Sequence, residues 1–228
     1  DGFGNINMPL PSQKKENKKA SQFIIDSINA NQGEIIIVAV GPLTNLAKAV
    51  TIDPSISQKA KGIILMGGSW MAGGNISPVA EANIFNDPEA ADIVFKTNWP
   101  ITMVGLDVTH KVSLSKSEIV QFPSISIACG SFLKKISKFY IDFYRKTKNM
   151  DGCFFHDATA LIYLTNPELF DYVEAKICIS KDSLSRGQTV VCLSGKNYEH
   201  DFWKNRSNVR VLNKVKEDLV IKNYIQIV

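Results

Sequence analysis

The chain has 228 residues, 45% of them hydrophobic, enough to bury a sizeable core within one domain. Its net charge of +4, from 26 basic and 22 acidic residues, is modest, and the basic residues are dispersed apart from a run at Lys14, Lys15, Lys18 and Lys19. That run reads as a solvated face; no nucleic-acid signature accompanies it. Four cysteines (Cys129, Cys153, Cys178 and Cys192) form no C-x-x-C pair, which argues against a structural zinc and against a dense disulfide framework. No apolar run approaches the roughly 18–20 residues a bilayer demands. The expectation is a cytoplasmic protein with reduced thiols and neither nucleic-acid nor membrane partners.

In chain order, residues 18–31 predict an amphipathic helix with Phe23, Ile24 and Ile28 on one side, ended by Gly33. The near-continuous apolar run 34–40 predicts a strand buried on both faces, as in parallel sheets. Gly41-Pro42 breaks it, Thr44-Asn45 opens a short helix, and Asp53-Pro54 stops that helix. Further buried strands are expected at 62–66 and 101–106. Between them Asp87-Pro88-Glu89 is a helix start, with an N-cap acid, proline in the first turn and a carboxylate favoured by the helix dipole. Ser115 and Glu118 have capping-box spacing. A long helix is expected over roughly 125–147 and another from His156 to Asn166-Pro167. Three β-rich runs, 173–180, 188–194 and 209–213, precede a final helix. Alternating strands and helices imply an α/β fold: a mostly parallel, Rossmann-like open sheet flanked by helices, forming a single domain over 1–228.

Ligands of open α/β sheets gather outside the carboxyl ends of the strands. Three loops there are polar and glycine-rich: 41–45, 66–86 and 106–110. The second carries Asn75, Glu81 and Asn83, and amides together with a carboxylate can grip a polyhydroxylated ligand. Taken singly, each asparagine caps a turn as readily as it binds, Glu81 reads as a solvated acid, and His156-Asp157 reads as a helix opening. His110 reads as structural, His200 as a surface residue and the cysteines, Cys153 included, as packing.

In combination the segments are more specific. Gly-Pro-Leu-Thr-Asn at 41–45, Met66-Gly-Gly, Gly74-Asn75, Ala80-Glu81-x-Asn83, Asp87-Pro-Glu-Ala-Ala91, Gly105-Leu-Asp-Val-Thr-His110 and His156-Asp157 occur in one order. This ordered set resembles the inosine–uridine preferring nucleoside hydrolases, from residue 1 to about 190. The resemblance implies hydrolysis of the N-glycosidic bond of purine or pyrimidine ribonucleosides by a calcium-activated water, through an oxocarbenium-like state. It also implies a homo-oligomer, a dimer or tetramer. By position, Asp157 would ligate calcium through its side chain and Thr44 through its carbonyl. Asn75, Glu81 and Asn83 would hold the ribose hydroxyls, Met66 would line the sugar pocket, and His156 would protonate or polarise the departing base, a task suited to a group titrating near neutrality.

Two departures accompany the resemblance. The family's aspartate-rich stretch after its first strand, which carries the base and most metal carboxylates, has no counterpart here; Asp1-Gly2-Phe3-Gly4 resembles the end of a later loop. Ala82 stands where the family more often has an aromatic. The expectation is therefore an N-terminally incomplete domain, unstable or aggregation-prone through unpaired strand backbone. The alternative is a catalytically incompetent homologue that only binds ribosides or serves in assembly. An unrelated nucleotide-binding domain is disfavoured, since no G-x-x-x-x-G-K or G-x-G-x-x-G loop is present.

Overall fold

The fold comes from a computed structural model of the chain, which describes residues 3–196 and 198–227; the opening Asp1-Gly2 lies outside them. The elements are α1 (Ala20–Ala30), β1 (Ile36–Ala39), α2 (Thr44–Ile52), α3 (Ile56–Lys59), β2 (Gly62–Met66), α4 (Ala82–Asn86), α5 (Pro88–Phe95), β3 (Ile101–Val104), α6 (Leu106–Thr109), β4 (Ser113–Ser115), α7 (Lys116–Val120), α8 (Phe122–Ile125), α9 (Ile127–Lys148), β5 (Gly152–Phe154), α10 (His156–Thr165), β6 (Phe170–Ile179), β7 (Thr189–Leu193), β8 (Val209–Val215) and α11 (Glu217–Ile227). The main sheet has the order β1-β2-β3-β8-β6-β7. Strands β1, β2, β3 and β8 run parallel, and β6 is antiparallel to both β8 and β7. This is the mostly parallel α/β sheet expected.

Period-two alternation sends side chains to two cores. Ile63, Leu65, Ile101 and Met103 pack under α1, α2 and α5, while Ile64, Met66 and Val104 face α10 and α11. A third cluster, with Leu114, Ile119, Phe122, Ile141 and Tyr144, joins α7, α8 and α9 to β4 and β5. The short β4–β5 ladder was not visible in the pattern, because three residues carry too little periodicity.

Local chemistry accounts for the boundaries. Asp87 accepts from the Ala90 N–H at 3.0 Å and Pro88 opens α5. The Ser115–Glu118 capping box forms, starting α7. Two expectations are corrected. Phe23 is exposed, and the buried stripe of α1 is Ser21, Ile25 and Ile28, an i, i+4, i+7 row. Strand β1 is only half-buried along its length, because it is an edge strand bonded to β2 alone. Among the described residues no helix is long and apolar enough to cross a membrane, and the four cysteines are free thiols.

Candidate active site

An open cavity of about 670 Å³ lies outside the carboxyl ends of β1 and β2, against α9 and the start of α10. Met66, Asn75, Glu81, Asn83, His156 and Asp157 all line it. Thr44 does not. It opens α2 and donates its hydroxyl to Asp87, tying α2 to the cap of α5. At the end of β1 it is Val40 that reaches the cavity.

Met66 ends β2, and its carbonyl accepts from the Asn83 side chain at 3.0 Å. The loop then turns tightly. A Cβ on Gly74 would lie 2.1 Å from the Ser77 carbonyl oxygen, so only glycine fits before Asn75. The Asn75 side chain accepts from the Ala82 N–H at 2.9 Å. Glu81 caps α4 with a carboxylate that is 2% exposed, accepting from the N–H groups of Gly68 (3.0 Å), Asn83 (2.9 Å) and Ile84 (3.2 Å). Burial raises its pKa; those three N–H groups oppose the rise and the negative Asp157 adds to it.

The side chain of Asp157, on the first turn of α10, makes no hydrogen bond or ion pair among the described residues. It is open to the cavity yet surrounded by enough protein that desolvation raises its pKa. Beside it, both ring nitrogens of His156 are engaged, Nδ1 with the Thr109 hydroxyl at 2.7 Å and Nε2 with the Tyr144 hydroxyl at 3.0 Å. The Tyr144 hydroxyl meets that of Tyr140 at 3.0 Å, and Tyr140 lines the cavity. Burial, and then the nearby His110, lower the His156 pKa to about 4. The ring is therefore neutral at pH 7, whereas the sequence suggested a group titrating near neutrality.

The sequence reading missed this aromatic wall. Phe139, Tyr140 and Phe143 on α9 and Phe154 on β5 border the cavity, and Tyr144 backs it, edge-on to Phe154 at 5.2 Å. The Tyr140/Tyr144 and Phe139/Phe143 pairs have the i, i+4 spacing of one helix face, a signal that was available. His110 caps α6 and packs on Phe154 (4.8 Å) and His156 (5.5 Å), as support for the site. Cys153 lines the cavity with a buried thiol whose pKa desolvation pushes up to about 12, so it is a poor nucleophile. His200 is exposed and caps the turn at Asp201–Trp203.

A calcium ion takes six to eight oxygens. Among the described residues no three His, Cys, Asp or Glu side chains converge on one point, and Glu81 is already committed to backbone donors. Asp157 fits as one ligand; the described donors do not complete a set.

A cleft at the carboxyl ends of a mostly parallel sheet, lined by amides, carboxylates and aromatics, defines an α/β protein with its candidate site where ligands of such sheets gather. The sequence model of the inosine-uridine preferring nucleoside hydrolases matches residues 1–222, and the chain belongs to that family. It is 36% identical over 223 residues to a probable uridine nucleosidase 2 of Arabidopsis thaliana, covering 97% of this chain and 69% of that one. Among solved structures it matches a plant nucleoside hydrolase with a TM-score of 0.93 and 33% identity, covering 96% of this chain and 70% of that one. It also matches a purine-preferring ribonucleoside hydrolase from Gardnerella vaginalis with a TM-score of 0.89 and 32% identity, covering 98% and 69%. Several other curated relatives are longer still relative to it: the chain spans 57% of uridine nucleosidase 1 of Arabidopsis thaliana.

Proposed function

We propose that the protein hydrolyses ribonucleosides to free base and ribose at this cavity. The observation that supports the reading is that Asn75, Glu81, Asn83 and Asp157 line one cavity together with Tyr140 and His156, which are joined through the Tyr144 hydroxyl. Asn75, Glu81 and Asn83 hold the ribose hydroxyls, and Met66 forms the floor beneath the sugar. The bond between the anomeric carbon and the base nitrogen breaks, and a water oxygen bonds to that carbon. Its proton goes to solvent while the departing base gains one. Neutral His156 acts through its hydrogen bonds, with the Tyr144 and Tyr140 hydroxyls carrying its polarity to the base side.

Calcium is the proposed cofactor, with Asp157 as one ligand. When bound it supplies a water of lowered pKa and a hold on the sugar. Two desolvated carboxylates of like sign at one cavity, each with a raised pKa, favour a cation there.

The test is ribose release from uridine and inosine, with calcium and with chelator. Chelator-sensitive release is expected. Binding of either nucleoside without release would replace the hydrolytic reading with a riboside-binding one, and neither binding nor release would end both.

A further inference from the structure

The five consecutive amides after β2, Gly68 to Ala72, all point at side-chain oxygens of distant residues. Gly68 donates to Glu81 (3.0 Å) and Ser69 to the Thr189 hydroxyl (3.4 Å). Trp70, Met71 and Ala72 all donate to one carboxylate, that of Asp107, at 2.7, 2.7 and 3.1 Å. Asp107 is buried in the first turn of α6 and does not line the cavity. We propose that Asp107 is a positioning residue for riboside recognition, holding residues 70–72 and through them the placement of Asn75, Glu81 and Asn83. The proposal rests on the reading of the cavity given above.

Asp107 is itself well anchored. The Leu106 N–H donates to the Gly68 carbonyl at 3.0 Å, and a Cβ on Gly105 would lie 2.9 Å from that same oxygen, so the ends of β2 and β3 are clasped together. On the far side, Ala80 bridges to Gln188, and a Cβ on Gly187 would lie 2.6 Å from the Phe85 Cα. Between these two anchors the chain from 73 to 79 has little freedom. The Gly74 N–H bonds the Pro78 carbonyl at 3.0 Å, and the Asn75 N–H bonds that of Ala80 at 3.1 Å. A shift at 70–72 is therefore passed on to Asn75. Without the carboxylate, Trp70, Met71 and Ala72 would present three unpaired amide donors, and hydrogen bonds to a carboxylate are about twice as strong as neutral ones. Asp107→Asn keeps the shape but sets an NH2 donor against an N–H donor.

The experiment combines hydrogen exchange with substrate discrimination in the intact protein. In the wild type, amides 70–72 should be protected although Met71 and Ala72 are surface residues. In Asp107→Asn, exchange should speed about tenfold or more across 66–83 and stay unchanged in β3 and β8. The ratio of kcat/KM for uridine over 2′-deoxyuridine should fall about tenfold, because misplaced hydroxyl contacts lose their advantage. A merely structural role would lower the amount of folded protein without moving that ratio. Ala72→Pro, which deletes one donor at an exposed position, should move the ratio the same way and covers the case in which the Asn variant does not fold. Unprotected wild-type amides at 70–72, or a wild-type ratio in a folded Asp107→Asn, would overturn the proposal. A wild-type protein that releases no ribose brings down the functional reading, and with it the part of Asp107 in recognition, however tightly exchange shows the loop to be held.

Discussion

Two acidic sites in this molecule, one around the buried Asp92 and one pairing the buried Glu81 with Asp157, which is open to the cavity, have opposite character. At the junction of α5 and β6, Asp92 is 3% exposed and meets Arg206 at 2.7 Å, Lys96 at 2.9 Å and Lys181 at 3.0 Å. Burial alone would raise its pKa, but the hydrogen bonds and charges of Lys96, Arg206 and Lys181 outweigh that and hold it well below the usual carboxylate range. At the cavity, Glu81 and Asp157 are also desolvated and have no cationic partner among the described residues, and both pKa values are raised. The first site is a finished electrostatic arrangement and serves the fold. The second is unfinished among the described residues, which accords with the proposal that it takes up a cation.

The largest expected effect comes from the unfinished site. Asp157→Asn should lower ribose release on the order of 10³-fold, since it removes the free carboxylate at the cavity. In chelator-treated protein the same change should leave the melting temperature equal or higher, because the carboxylate being removed has no partner among the described residues. A variant that melts earlier and keeps its activity would reverse the contrast between the two sites.

At the finished site the pattern inverts. Arg206→Ala leaves Asp92, of its cationic partners, only the two half-exposed lysines, Lys96 and Lys181, and also removes the donors to the carbonyls of Ile177 (2.7 Å) and Phe202 (2.6 Å). The expected cost is about 3–5 kcal/mol in urea denaturation, with ribose release per folded molecule unchanged at low temperature. The pH dependence follows from the same pair. A carboxylate whose folded pKa is depressed contributes stability that is fully present above its unfolded pKa, near ~4, and is lost as pH falls below it. Melting temperature should therefore drop between roughly pH 4 and 2 in the wild type, and Asp92→Asn should flatten that limb. An equally steep limb in the variant would assign acid sensitivity to other groups.

How much of this was legible in sequence depended on range. Asp87-Pro88, the Ser115–Glu118 box and the 62–66 strand act within a turn or a run, so composition and spacing located them. The cavity loop was legible as a motif, with Asn75, Glu81 and Asn83 arriving at one place. What escaped depends on partners far along the chain. Asp92 and Arg206 are 114 residues apart, and nothing local marks Asp92 as more than a helix-surface acid. Asp107 lies within a quoted motif, yet its function is defined by amides some 35 residues earlier. The lowered pKa of His156 comes from burial under an aromatic wall that forms only when α9 packs across β5. The motif at 41–45 did not show that Val40, rather than Thr44, lines the cavity.

The smallest expected effect sharpens the comparison from the surface side. Glu118 accepts from the Ser115 N–H at 2.8 Å and from its hydroxyl at 2.6 Å, closing the box at the start of α7. Glu118→Ala removes one half of a reciprocal cap on a helix of only five residues. The expected loss is about 0.5–1 kcal/mol, with no change in ribose release. The contrast with Asp92 is then one of burial: both acids accept several hydrogen bonds, but solvent can replace those of Glu118 and cannot reach those of Asp92. A loss as large as that of Arg206→Ala would mean that α7 holds α9 against β5 through the third core cluster, and the aromatic wall would then depend on a surface cap.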